Sequence, residues 1–100
     1  MLREMTVDNG RVMVSLDGRI YVDEAALLRE KLLEYIGKGY KNFVIDVSNV
    51  SYIDSSGLGV LVAIHKRAVQ NNGAVKIKGM QGMVKELFEL TRLNKVFDVA

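Results

Sequence analysis

The residues best suited to chemistry lie in one short stretch, residues 51–59, which reads SYIDSSGLG. A carboxylate, Asp54, is followed by two hydroxyls, Ser55 and Ser56, and then by an apolar run that contains two glycines. Asp and Ser side chains cap helix N-termini well, because their oxygens accept hydrogen bonds from the free N–H groups of the first turn. One residue is enough for capping, so the stretch holds more polar groups than a helix start requires.

The two glycines, Gly57 and Gly59, indicate that side chains are avoided at the start of the following helix. Glycine inside a helix costs about 1 kcal/mol relative to alanine. Either the helix packs closely onto the sheet of its own domain, or a partner surface approaches its backbone. The sequence leaves both explanations open, and Leu58 between the glycines suits either the core or a contact surface.

A nucleophilic serine is the enzymatic alternative, and it requires an activating base. The stretch is not a Gly-x-Ser-x-Gly elbow, because Asp54 and Ile53 occupy the positions two residues before the serines. The single histidine, His65, follows Ser56 by nine residues, which is about 13–14 Å along a helix. A small serine hydrolase is therefore the less favoured hypothesis, and we expect no enzymatic activity.

Anion binding and phosphorelay chemistry have weaker support. Helix N-termini attract anions, but no Gly-x-x-x-x-Gly-Lys-Ser/Thr loop is present, and Asp54 would repel a phosphate. A response-regulator receiver needs an acidic cluster and a lysine after a later strand, and Asp46, Asp54 and Lys78 do not form a persuasive version. We therefore expect no cofactor, and direct nucleotide binding stays a weak alternative.

The composition favours one globular domain spanning residues 1–100. Hydrophobic residues make up 49% of the chain and charged residues 26%, which is enough to form a core. Cysteine is absent, so disulfides and thiolate metal sites are excluded. The net charge of +2 is too small to indicate nucleic-acid binding. No apolar run of 18 residues and no secretion signal appear, so we expect no membrane insertion and a cytoplasmic location.

The elements that position the stretch follow from the apolar pattern. Asp8-Asn9-Gly10 suits a hairpin turn between strands at residues 3–7 and 11–16. Asp23 is predicted to cap an amphipathic helix that ends at Gly37 and Gly39. The run Phe43–Val47 predicts a central strand buried on both faces.

The second half of the chain continues the alternation of strands and helices. A helix is predicted over residues 58–69, a strand over 75–78, an amphipathic helix from Met80 to Phe88, and a last short strand over 96–99. The order ββαβαβαβ predicts an α/β fold with a mixed, mostly parallel sheet, because alternating strands and helices favour parallel crossovers.

The segment "FVIDVSNVSYIDSSGLGVLV" resembles the signature of STAS domains, and most closely that of the bacterial anti-sigma factor antagonists. The early segment "GRIYVDEAALLREKL" and the later "GAVKIKGMQGMVKELFELTRLNKVFDV" continue the similarity in order, so it covers nearly the whole chain. The Asp-Ser-Ser-Gly-Leu-Gly core after an apolar strand is specific, whereas a lone Ser-Gly pair is not.

The resemblance implies a module that works by partner switching. The unphosphorylated antagonist binds an anti-sigma factor that is also a serine kinase, and a sigma factor is released. The kinase uses its own ATP to phosphorylate the second serine of the motif, here Ser56, and a PP2C-type phosphatase restores the active form. The expected partner-binding residues in this part of the chain are Asp54, Ser55, Ser56, Gly57, Leu58 and Gly59. A STAS scaffold or lipid-transport accessory module with no sigma factor is the alternative within the family.

One position departs from the family pattern. Many antagonists carry an aspartate where "GRIY" places Tyr21, and here Asp23 follows two residues later. In relatives the aspartate contributes to partner contact or to capping. Tyr21 and Asp23 therefore join the expected partner-binding residues, and the departure bears on partner choice and on the efficiency of phosphorylation.

Overall fold

The computed structural model describes residues 2–99, with side chains described as far as residue 97. Within these residues, five strands form one sheet in the order β1-β2-β3-β4-β5, in which β1 and β2 are antiparallel and all other neighbours are parallel. The predicted α/β fold and the order ββαβαβαβ are confirmed. The elements are β1 (Leu2–Asp8), β2 (Arg11–Ile20), α1 (Val22–Gly37), β3 (Asn42–Ile53), α2 (Ser55–Gln70), β4 (Ala74–Lys78), α3 (Gly82–Leu90), a 3₁₀ turn (Leu93–Lys95) and β5 (Asp98–Val99).

The hairpin that joins β1 and β2 turns at Asn9 and Gly10, as predicted. Both residues have positive φ, 52° and 78°, which is the geometry that Asn-Gly adopts readily in a two-residue turn. Strand β2 continues four residues beyond the predicted end, as far as Ile20. Its pairing with β3 shifts register after Ser15 and again between Gly18 and Arg19, so the alternation that identifies a strand breaks there.

One face of the sheet carries the core. Alternate residues of β2, β3 and β4 point into it and are almost fully buried, together with residues of all three helices. Burial of a large aliphatic or aromatic side chain is worth about 1.5–3 kcal/mol, so this cluster dominates the stability of the fold. The sheet residues of the cluster are Val12, Val14, Leu16, Ile20, Phe43, Ile45, Val47, Val50, Ile53, Val75 and Ile77.

The start of α1 differs from the prediction, because Tyr21 and not Asp23 occupies the N-cap position. Strand β2 runs to Ile20, and the chain enters the helix directly after it. The Glu24 carboxylate accepts a hydrogen bond from the Tyr21 backbone N–H at 2.9 Å. Asp23 lies exposed in the first turn, where its charge is favourable to the helix N-terminus.

Strand β3 is central, as predicted, but it spans twelve residues and includes the first part of the SYIDSSGLG stretch. The prediction that it is buried on both faces is wrong in part. Val44 is 7% exposed, whereas Asp46 and Ser48 are only half-buried on the face opposite the core. The polar residues of the second half concealed its extent, because they break the apolar run.

The third helix begins later than its apolar pattern predicts. Met80 precedes α3, and Met83 is 54% exposed, so neither belongs to the buried face of a helix. Gly79 and Gly82 have positive φ, 78° and 56°, and the chain between them is not helical. The last strand is also shorter than predicted, since Val96 precedes it and is 46% exposed.

Candidate functional site

The site lies where β2 and β3 end side by side and each strand leads directly into a helix. The backbone N–H of Asp54 donates a hydrogen bond to the Ile20 carbonyl at 3.1 Å, which ties the two junctions together. Tyr21 follows Ile20, and Ser55 follows Asp54, so the N-termini of α1 and α2 meet at one edge of the sheet. Sequence positions about 30 residues apart are thus brought into one surface.

Asp54 is the N-cap of α2. Its Oδ1 accepts a hydrogen bond from the Gly57 N–H at 3.1 Å, and its carbonyl accepts from the Leu58 N–H at 3.0 Å. Since one carboxylate performs the capping, neither serine is needed for it. Ser55 is exposed and Ser56 is half-buried, at the first and second positions of the helix.

The Ser56 hydroxyl has no hydrogen-bonding partner among residues 2–99. The only histidine, His65, is engaged elsewhere, because its Nδ1 accepts a hydrogen bond from the Val75 backbone N–H at 3.4 Å. Its ring packs on Phe97, with 5.0 Å between the ring centroids. A serine nucleophile here has no base beside it, which weighs against the hydrolase hypothesis.

Gly57 and Gly59 are explained by different structural features, which the sequence alone could not distinguish. Gly57 is buried, and a Cβ on it would lie 2.5 Å from Cγ1 of Ile53 and 3.0 Å from Cγ2 of Ile20. Close packing of α2 onto its own sheet therefore explains Gly57, which faces the core and not the exposed surface. Gly59 is exposed, and a Cβ there would meet nothing within 4 Å, so internal packing does not explain it.

The other predicted contact residues flank the helix starts. Leu58 is half-buried against the core, and Asp23 is exposed. Tyr21 is 43% exposed, and its ring leans on that of Tyr52 with 5.6 Å between centroids. Asp23, Glu24 and Asp54 place negative charges at the two helix starts, and the exposed Arg19 lies just before Ile20 and Tyr21.

A neighbouring cleft was missed by the sequence reasoning. It has a volume of about 290 Å³ and borders the site through Tyr21 and Tyr52, and we call it the Tyr52 cleft. Its lining comes from three separate segments of the chain, so no local motif could have indicated it. The lining residues are Arg19, Tyr21, Ser51, Tyr52 and Met83.

The described part of the chain has neither a metal site of acidic or histidine side chains nor a membrane-spanning helix. Among residues 2–99, no group of three or more acidic or histidine side chains is arranged to hold a metal ion. No described helix is both long and apolar enough to cross a membrane.

Comparison with known proteins places these features in a family. A model of the STAS domain matches residues 3–100. The chain is 34% identical to the anti-sigma-B factor antagonist of Bacillus subtilis over 89 residues, which cover 89% of this chain and 81% of the relative.

Solved structures share the fold. A crystal structure from Thermotoga maritima, assigned as an anti-sigma factor antagonist, superposes with a TM-score of 0.91 at 23% identity and covers 96% of this chain and 83% of the other. The Bacillus cell fate determinant SpoIIAA in its phosphorylated form superposes with a TM-score of 0.78 at 19% identity, covering 100% of this chain and 89% of the other.

Proposed function

The chain belongs to the STAS domain family, and from that premise we propose that it is an anti-sigma factor antagonist controlled by phosphorylation of Ser56. In this proposal the unphosphorylated form binds an anti-sigma factor that is a serine kinase, and the cognate sigma factor is released. The kinase supplies the ATP and the domain needs no cofactor. A PP2C-type phosphatase reverses the modification, and the exchange takes place in the cytoplasm.

The observation that carries the proposal is the division of roles at the start of α2. Asp54 caps the helix, Gly57 seats it on the sheet, and the Ser56 hydroxyl is left without a partner among the described residues. A hydroxyl with no base beside it is a poor nucleophile, but it suits a group that another protein's active site modifies. Gly59 leaves the backbone next to it open to an approaching surface.

Phosphorylation would change the charge of this surface more than its fold. A phosphate on Ser56 adds about −1.5 to −2 charges at pH 7. The N-terminus of α2 favours it by about 0.3–1 kcal/mol, and repulsion from Asp54 opposes it. These local terms act in opposite directions, and neither requires the free domain to unfold. At a closely packed interface, however, an unpaired dianion costs several kcal/mol, so the partner dissociates.

The test uses the purified kinase-type anti-sigma factor from the same organism, labelled ATP, and three forms of this chain. We expect label in the wild type and in Ser55→Ala, and none in Ser56→Ala. Ser56→Ala should still bind the kinase, because the small uncharged side chain preserves the contact surface. Labelling of Ser56→Ala at another residue would refute the assignment of the modified serine. Absence of any complex with the wild type would favour a STAS module that has no sigma-factor role.

A further inference from the structure

The Tyr52 cleft is an open trough on the same surface as Ser56, between the end of β2 and the start of α3. Tyr21 and Met83 on its two sides are 43% and 54% exposed. Pockets that bind small molecules usually enclose most of the ligand surface, and this trough does not. Its lining, with two tyrosines, a methionine and an arginine, is of the kind enriched in the central parts of protein–protein interfaces.

The trough continues along the second half of β3. A second cleft, of about 310 Å³, shares Ser51 and Met83 with the Tyr52 cleft and extends to Ser48 and Gln81. From Tyr52 to Ser48 the strand rises about 13 Å, at about 3.3 Å per residue. The two clefts together offer room for roughly five residues of an extended chain.

Two side-chain hydrogen bonds to backbone carbonyls connect the segments that form the walls of the trough. The Gln81 side chain donates to the Ser48 carbonyl at 2.7 Å, which fixes the start of α3 against β3. The Ser51 hydroxyl donates to the Gly18 carbonyl at 3.3 Å. The register of β2 shifts between Gly18 and Arg19, and such bulges often redirect a side chain beside a binding site.

The choice of residue at the N-cap of α1 also points to a contact. Asp, Asn and Ser are strongly preferred at this position, but the chain has Tyr21 there, whose backbone N–H donates a hydrogen bond to the Glu24 carboxylate. The ring lies on Tyr52 and remains 43% exposed. The N-cap position of α1 therefore holds a residue that presents an exposed aromatic ring, where a short polar residue would be usual.

We propose that the Tyr52 cleft binds an extended segment of the anti-sigma factor in which an apolar side chain is followed closely by an acidic one. The apolar side chain packs against Tyr52 and Met83, and the carboxylate pairs with Arg19, the one charged side chain among the described residues that line the cleft. This inference rests on the proposed function. It extends that function, because it assigns the choice of partner to the cleft and the switching to Ser56.

The area that a stable interface buries indicates that the partner that covers Ser56 also occupies the Tyr52 cleft, in preference to a second, unrelated ligand. A stable complex buries about 800 Å² on each partner, which is more than the first turn of a single helix presents. A partner that covers Ser56 must therefore extend over neighbouring surface. The Tyr52 cleft begins two residues before Asp54, and it is continuous with the start of α1.

The experiment measures the affinity of the purified anti-sigma factor for variants of each wall, by calorimetry at moderate salt. We expect Arg19→Glu and Met83→Lys to weaken binding by about tenfold or more. The matched controls are Arg11→Glu, at the other end of β2, and Leu90→Lys, at the other end of α3, and these should change the affinity less than twofold. Urea unfolding of every variant checks that lost binding does not reflect lost folding.

A second measurement locates the contact and separates the possible failures. On addition of the anti-sigma factor, amide NMR signals of Ser51, Tyr52 and Met83 should shift together with those of the α2 start. Wild-type affinity in both cleft variants, with binding still abolished by Ser56 phosphorylation, would overturn the cleft proposal and leave the proposed function standing. No binding by the wild type would overturn both. If sedimentation shows that the wild type self-associates and the cleft variants do not, while the affinity for the anti-sigma factor is unchanged, the cleft binds a second copy of the chain.

Discussion

Alanine substitutions at Gly57 and Gly59 are predicted to change stability in opposite directions, although the two residues lie in the same turn of the same helix. Each substitution removes the conformational cost of a helical glycine, which is worth about 1 kcal/mol. Gly59→Ala adds a methyl group with nothing within 4 Å. We therefore expect the free energy of unfolding to rise by up to about 1 kcal/mol.

Gly57→Ala gives the same gain in helix propensity, but its new Cβ lies against buried side chains of the core. Its Cβ would lie 2.5 Å and 2.8 Å from two carbons of the Ile53 side chain, and 3.0 Å from Ile20. Both isoleucines are 1% exposed, so they cannot move into solvent. Overpacking of this kind costs about 1–3 kcal/mol. After subtraction of the helical gain, we expect a net loss of up to about 2 kcal/mol.

The assay is equilibrium urea unfolding followed by circular dichroism, with the wild type measured in parallel. A domain of this size is expected to unfold in one step, so a change in midpoint at constant slope reports stability. Stabilisation by both substitutions would refute the claim that Gly57 is selected by packing. A destabilised Gly59→Ala would show that the space above Gly59 is not free in solution.

Three further predictions concern residues around the site. Asp54→Ala should lower the free energy of unfolding by about 1 kcal/mol in urea, because the cap on Gly57 is lost, whereas Asp54→Asn should recover most of it; equal losses would contradict the capping role. A double-mutant cycle of Tyr21→Ala and Tyr52→Ala should give a coupling of about 0.5–1.5 kcal/mol, and a coupling of zero would show that the rings do not interact in solution. Burial alone would raise the pKa of Asp46, but hydrogen bonds from Ser48 and the charge of Lys78 outweigh it and hold the pKa below 3.8. The stability from this lowered pKa is present above pH 3.8 and is lost as the pH falls below it. Asp46→Asn should therefore make the free energy of unfolding depend less steeply on pH in this acidic range. An unchanged pH dependence would refute the contribution of Asp46.

The sequence predicted those parts of the fold in which local chemistry and global packing agree. Asn9-Gly10 forms the expected hairpin turn because its backbone preferences match the twist of the strands. Asp54 caps α2 because a carboxylate lies immediately before the helical run. At such positions a single local preference is sufficient.

The errors arose where tertiary contacts override a local preference. Asp23 is a better cap than Tyr21, but β2 runs on to Ile20 and the helix begins before Asp23 can serve. Met80 fits the apolar period of α3 but lies between Gly79 and Gly82, which both have positive φ, and the helix begins only at Gly82.

The candidate site was only partly predictable. Ser56 and its neighbours form a continuous motif, and a continuous motif can be recognised in one sequence. The Tyr52 cleft joins the ends of β2 and β3 to the start of α3, and only the sheet order brings these segments together. The distinction between Gly57 and Gly59 required the positions of Ile20 and Ile53, which composition does not reveal.

The most direct test of the account compares the affinity of the anti-sigma factor for the unphosphorylated chain with its affinity for the chain phosphorylated at Ser56. A single negative charge farther along the same helix, Ala63→Asp, is the control for nonspecific charge repulsion; it adds one charge where phosphate adds about 1.5 to 2. Phosphorylation should lower the affinity at least about tenfold, equivalent to about 1.4 kcal/mol, and the control substitution should change it little. In the free phosphorylated chain, the amide NMR signals that shift should be those close to the start of α2. Equal affinity of the two forms, or widespread changes across the sheet, would contradict a switch that acts through the interface.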